Sequence, residues 1–152
     1  MSSSAAPHYR PPGPATRLFN RLIAALTRAG LSVMGSRVLE STGRKSGLPR
    51  RTPVNLLTFE GSIYLVSPRG EAEWVRNVRA AGGSLSLILG RRKTNYVATE
   101  IEGDERIPVL REYLRRWKFE VGVFFGGVGP DSSDSELRAI AERHPVFALR
   151  SR

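Results

Sequence analysis

At 152 residues with 40% hydrophobic content, the chain has room for one compact domain but not for two independent cores. The absence of cysteine excludes disulfides, iron–sulfur clusters and thiolate metal sites, and with only His8 and His144 a histidine-rich metal centre is disfavoured as well. The net charge of +10 calls for an anionic partner: a phosphate-bearing cofactor, a nucleic acid or an acidic membrane surface.

In chain order, residues 1–15 are rich in Ser, Ala and Pro without an apolar period, which predicts a mobile tail. Residues 16–152 then form the single domain. Leu18, Phe19, Leu22, Ile23, Leu26 and Ala29 recur at helical spacing and predict an amphipathic helix over residues 16–29, ended by Gly30. It caps a sheet or, by its arginines, makes a peripheral membrane contact or lines a substrate pocket. No apolar run approaches the roughly 20 residues that span a bilayer, and the N-terminus lacks the features of a signal peptide; a soluble, cytoplasmic protein is expected.

An apolar run over residues 36–40 leads into residues 41–53, where two glycines, two prolines, four cations and four hydroxyls separate two strands. Residues 52–59 and 63–67 predict a hairpin turning at Glu60-Gly61. After the breaker Ser67-Pro68-Arg69-Gly70 comes a short helix over residues 71–81, with Glu71 and Glu73 in its positive first turn and Trp74, Val78 and Ala81 on its apolar face. Residues 85–89 and 94–101 predict a second hairpin. From Asp104 the period lengthens again, placing Ile107, Leu110, Tyr113, Leu114 and Trp117 on one helical face. Residues 119–129 mix phenylalanines with glycines, and Ser133 with Glu136 marks a capping box that opens a last helix through Arg143. Residues 144–147 run out as an extended end. Hairpins with intervening helices, rather than strict strand–helix alternation, predict an α+β fold: a small, mostly antiparallel barrel with peripheral helices, closed so that no strand edge is left open.

The candidate chemistry lies in two breakers. Arg44, Lys45 and Arg50 supply charged donors, Ser41, Thr42, Ser46 and Thr52 supply hydroxyls, and Gly43 and Gly47 let backbone amides approach an anion. A P-loop needs glycine immediately before its Lys-Ser pair; Arg44 stands there, so that reading is rejected. The competing reading is a solvated basic hairpin. The second breaker precedes a helix N-terminus, a ready anion site. Trp74 there reads more readily as core than as ligand contact, while Asn77 is open to solvent, a backbone group or a ligand. Aromatics are not interleaved with the cations on one strand face, which argues against nucleic-acid binding.

Gly43-Arg44-Lys45-Ser46-Gly47, then Pro49-Arg50 and Pro53, then Ser67 and Gly70, then Trp74-x-x-Asn77-x-Arg79, together resemble the deazaflavin (F420)-dependent nitroreductases, also called F420-dependent quinone reductases, over residues 38–117. The resemblance implies a split β-barrel and an oxidoreductase that passes a hydride from reduced F420 to a quinone-like, nitro or other conjugated hydrophobic acceptor. It further implies that Arg44, Lys45 and Arg50 hold the cofactor's phosphate and acidic tail. Ser46, Thr52 and Pro53 would shape the wall beside its rings, Ser67, Arg69 and Gly70 would lie along the deazaflavin, and Trp74 and Asn77 would support that segment. FMN is the alternative cofactor, non-catalytic binding of a cofactor, fatty acid or lipid the alternative role, and monomer or homodimer the expected state. Two departures stand out: Pro68-Arg69 replaces a lysine-glycine pattern, and where family members place acceptor-pocket tyrosines this chain has, after Tyr113, only Phe119, Phe124, Phe125 and Phe147.

Overall fold

The computed structural model describes residues 13, 16, 17, 20, 21 and 36–152. The expected tail and most of the expected helix over residues 16–29 lie outside the described residues; Thr16, Arg17, Asn20 and Arg21 are helical. Six strands, β1 (Ser36–Thr42), β2 (Pro49–Phe59), β3 (Ser62–Val66), β4 (Ser84–Leu89), β5 (Arg92–Ile101) and β6 (Val146–Ser151), close into an antiparallel barrel in the order β1-β2-β3-β6-β5-β4. Three α-helices accompany them within residues 36–152: α1 (Glu73–Ala80), α2 (Arg106–Val121) and α3 (Asp134–Ala141). The expected α+β barrel is present. No helix among the described residues is long and apolar enough to cross a membrane.

Local chemistry sets the connections. Glu60 and Gly61 both take positive φ, 49° and 78°, which matches a two-residue hairpin turn to the right-handed twist of β2 and β3. Ser133 caps α3 by accepting from the Glu136 amide, and Glu136 reaches back to the Ser133 amide, so the predicted capping box is complete. The expected extended end is part of a strand. Residues 146–151 are β6, paired with β3 on one side and β5 on the other, with Leu65 and Glu100 both opposite Phe147. Without this strand the facing edges of β3 and β5 would carry unpaired amides and carbonyls.

Period-2 alternation divides the core. Leu65 and Phe147 enter one cluster, the barrel interior, where Leu39, Leu85, Leu87 and Ala98 meet Val75 and Val78 of α1. Their neighbours Val66 and Val146 enter the other, packed against α2. Leu110, Tyr113, Leu114 and Trp117 of α2 are almost fully buried there, and the Trp117 Nε1–H donates to the Leu56 carbonyl at 3.2 Å. A free helix of about this length is marginal in water, so this face, at about 1.5–3 kcal/mol per buried large side chain, holds α2 in place. One end of α1 and the C-terminal part of α2 are thereby fixed beside the β1–β2 connection.

Candidate functional site

The basic stretch is mostly strand. Ser41 and Thr42 end β1 opposite Arg50 and Pro49 of β2, so the connection itself is only residues 43–48. The Gly43 amide donates to the Leu48 carbonyl and the Gly47 amide to the Gly43 carbonyl, both at 2.8 Å. A Cβ on Gly43 would lie 2.7 Å from Ser46 Oγ and 3.2 Å from the Leu48 oxygen, so a side chain here would force the serine to turn away and the Leu48 carbonyl to shift. The loop docks on α1 through Arg44. Its amide (3.2 Å) and its Nη1 (2.9 Å) both donate to Asn77 Oδ1, and Nη1 also donates to Glu73 Oε2 at 2.7 Å. Asn77 is buried and Glu73 exposed. The Arg44 guanidinium holds the Glu73 carboxyl below its usual 4.5.

The second breaker is locked from several sides. Ser67 is fully buried; its hydroxyl donates to the Gly70 carbonyl at 2.6 Å, its amide donates to the Pro145 carbonyl at 2.9 Å, and its own carbonyl lies 3.2 Å from His144 Nδ1. The His144 ring stacks on Phe125 with centroids 4.1 Å apart. Arg69 lies over the Phe124 ring at 4.6 Å. Gly70, at φ +81°, is the pivot of the turn.

These elements enclose a cavity of about 890 Å³. Arg44, Lys45, Ser46, Arg50, Thr52 and Pro53 line one part of it, and Ser67, Arg69, Trp74 and Asn77 another. Gly70, expected along the same wall, is not in the lining; it sets the turn that presents Arg69. Trp74 departs from the core reading: Val75 and Val78 fill the core, while Trp74 is half-buried, faces the cavity and rests against Phe147 with ring centroids 5.7 Å apart. Lys45 and Arg50 are exposed and make no ion pair among the described residues. Thr16 and Asn20, from the stretch expected to be the first helix, also line the space.

Sequence reasoning did not find three polar lining residues, Asn55, Tyr113 and Glu120. Tyr113 is buried and hydrogen-bonded to Asn55; burial, reinforced by the Glu120 carboxylate, pushes its hydroxyl well above the ordinary 10.0, so it stays protonated. Ser41 contributes a buried Oγ without a hydrogen-bond partner among the described residues, on the cavity wall. A large cavity with cations on one side and aromatic walls suits an anionic, planar ligand.

The closed antiparallel barrel with helices against it is a split β-barrel of the α+β class. Residues 17–121 match the model of the F420H(2)-dependent quinone reductases, and the chain belongs to that family. Among solved structures, an F420-H2 dependent reductase, FDR-A, is 22% identical, with 76% of this chain and 94% of that chain covered at a TM-score of 0.51. A chain described as a domain-swapped dimer is 21% identical, with 90% and 96% covered at a TM-score of 0.54. The heme storage protein HutZ from Vibrio cholerae is 10% identical, with 78% and 82% covered at a TM-score of 0.51. At these identities the likeness is one of fold. No curated protein matches the chain.

Proposed function

We propose that this chain binds reduced F420 in the 890 Å³ cavity and reduces a quinone-like or other conjugated, hydrophobic acceptor there. The observation that carries the reading is the meeting of two cations without an ion pair among the described residues, Lys45 and Arg50, with an aromatic wall, Trp74 and Phe124, around one large space. The family match supports the cofactor. Bound reduced deazaflavin supplies a hydride; the protein supplies position, charge and dryness.

Lys45 and Arg50 hold the phosphate and acidic tail, with the Ser46 and Thr52 hydroxyls as further donors. Ser67 is not a free donor, because its proton is committed to Gly70; its role is to fix the segment that carries Arg69. Trp74 and Pro53 form the wall beside the rings. Tyr113 lines the cavity with Asn55 and Glu120 and keeps its proton, so its hydroxyl can donate a hydrogen bond to the oxygen of an acceptor as it gains negative charge. This gives the acceptor side a donor even though no tyrosine follows Tyr113 in the chain.

The test is a fluorescence titration with F420, followed by oxidation of the reduced form in the presence of menadione. Saturable binding and acceptor-dependent oxidation are expected. No binding overturns the reading, tighter binding of FMN replaces it with a flavin enzyme, and binding without turnover across a broad acceptor panel leaves only a carrier.

A further inference from the structure

The cations in and beside the β1–β2 connection are not equivalent. Lys45 and Arg50 make no ion pair among the described residues, but Arg44 is already engaged by Glu73 and Asn77. The two partners differ in kind. Asn77 is buried and spends one oxygen on two N–H groups of the same arginine, so it fixes both the loop backbone and the guanidinium. Glu73 has a side chain 70% exposed and lines the same cavity as the cations. Its carboxylate sits against the guanidinium as a carboxylate or phosphate oxygen of a ligand would. An ion pair with one partner so exposed is weakly held and readily exchanged.

We propose that Glu73 is an exchangeable counter-ion that occupies Arg44 until the anionic group of the ligand displaces it, while Asn77 keeps the guanidinium in place throughout. The loop is thus neutral at Arg44 in the free protein and gains its third ligand-facing cation only on binding. Only the identity of the ligand rests on the cofactor reading above. The displacing group is a phosphate or a carboxylate, both of which an F420 tail carries.

The experiment compares wild type with Glu73→Gln, Glu71→Gln and the same Glu73 change in an Arg44→Ala background, using F420, inorganic pyrophosphate and tri-γ-glutamate as separate probes. Glu71 is the control, since it pairs with Arg79 instead. Glu73→Gln is expected to tighten F420 binding by about three- to fivefold, the worth of a weak exposed pair. Glu71→Gln should do so much less, and Arg44→Ala should abolish the gain. A purely structural role at the N-terminus of α1, where a carboxylate is favourable, would weaken binding instead. Equal gains at Glu71 and Glu73, or no gain at Glu73, overturn the proposal while leaving the cofactor reading intact. If wild type does not bind F420, the cofactor reading falls and the other probes decide. A Glu73-specific gain with pyrophosphate assigns a phosphate, one with tri-γ-glutamate assigns a carboxylate, and a gain with neither overturns the exchange.

Discussion

Lys45 reaches the cavity from the β1–β2 connection, Arg50 from the start of β2, and the neighbouring Arg44 holds the connection on α1; this division of labour sets what each substitution should do. A charge-assisted hydrogen bond contributes about 1.5–3 kcal/mol, so Lys45→Ala is expected to raise the F420 dissociation constant about tenfold or more; an unchanged constant removes Lys45 from the site. Tyr113 makes a different prediction. With its hydroxyl held protonated by burial and by Glu120, Tyr113 acts as a hydrogen-bond donor, and Tyr113→Phe should leave cofactor affinity nearly unchanged and lower turnover with menadione by roughly a hundredfold. Unchanged turnover would show that Tyr113 does not stabilise the acceptor. The basic loop was legible in the sequence because glycine, cations and hydroxyls cluster within a few residues. Asn55, Tyr113 and Glu120 were not, because they come from a strand and a helix far apart in the chain. Tyr113 follows the same helical period as the core residues Leu110 and Trp117, and Glu120 looks like any solvated carboxylate.

Among the elements, the hairpins and helices followed from turn chemistry and periodicity, while their contacts did not. The register of β1 brings Glu40 opposite Arg51 of β2, and the same carboxylate also accepts from Lys93 of β5 at 2.6 Å, so one side chain ties three strands together. Lys93, with Arg51, holds the Glu40 carboxyl below its usual 4.5. A carboxyl with a lowered folded-state pKa stabilises fully above its unfolded value and loses that contribution as pH falls through the lowered one. The melting temperature should therefore fall more steeply below about pH 4.5 in wild type than in Glu40→Gln; parallel profiles would discount the bridge. The connection from α1 to β4 is equally demanding. Gly83 has φ +93° and a Cβ there would lie 2.3 Å from the Ala98 oxygen, so Gly83→Ala should cost at least about 1–3 kcal/mol in denaturant unfolding. Nothing in the local sequence separates it from the neighbouring Gly82, whose Cβ would meet open space. The difference exists only once β5 is in position.

For the whole molecule, closure of the barrel depends on the last strand, which is why a chain read from its N-terminus reveals the barrel late. The pairs β3–β6, β5–β6 and β1–β4 join segments distant in sequence, and β6 itself offers only Val146 and Phe147 as strongly buried residues before reaching the exposed Arg150 and Ser151. A segment so short, preceded by proline, carries too little pattern to be recognised as a central strand. Yet Phe147 fills the barrel interior and its ring meets Trp74 on the cavity wall, so the same residue links closure to the site. Phe147→Ala should cost about 3–5 kcal/mol, a loss of roughly 10 °C in melting temperature at this chain length. The Trp74 ring would lose its backing at the same time, so F420 affinity measured well below the melting point should fall as well. Phe147→Leu, which keeps an apolar side chain in the interior, should recover most of the stability but not the aromatic contact with Trp74. If it restores stability and affinity together, β6 serves the fold alone; if affinity stays low while stability returns, the closing strand also sets the cavity wall.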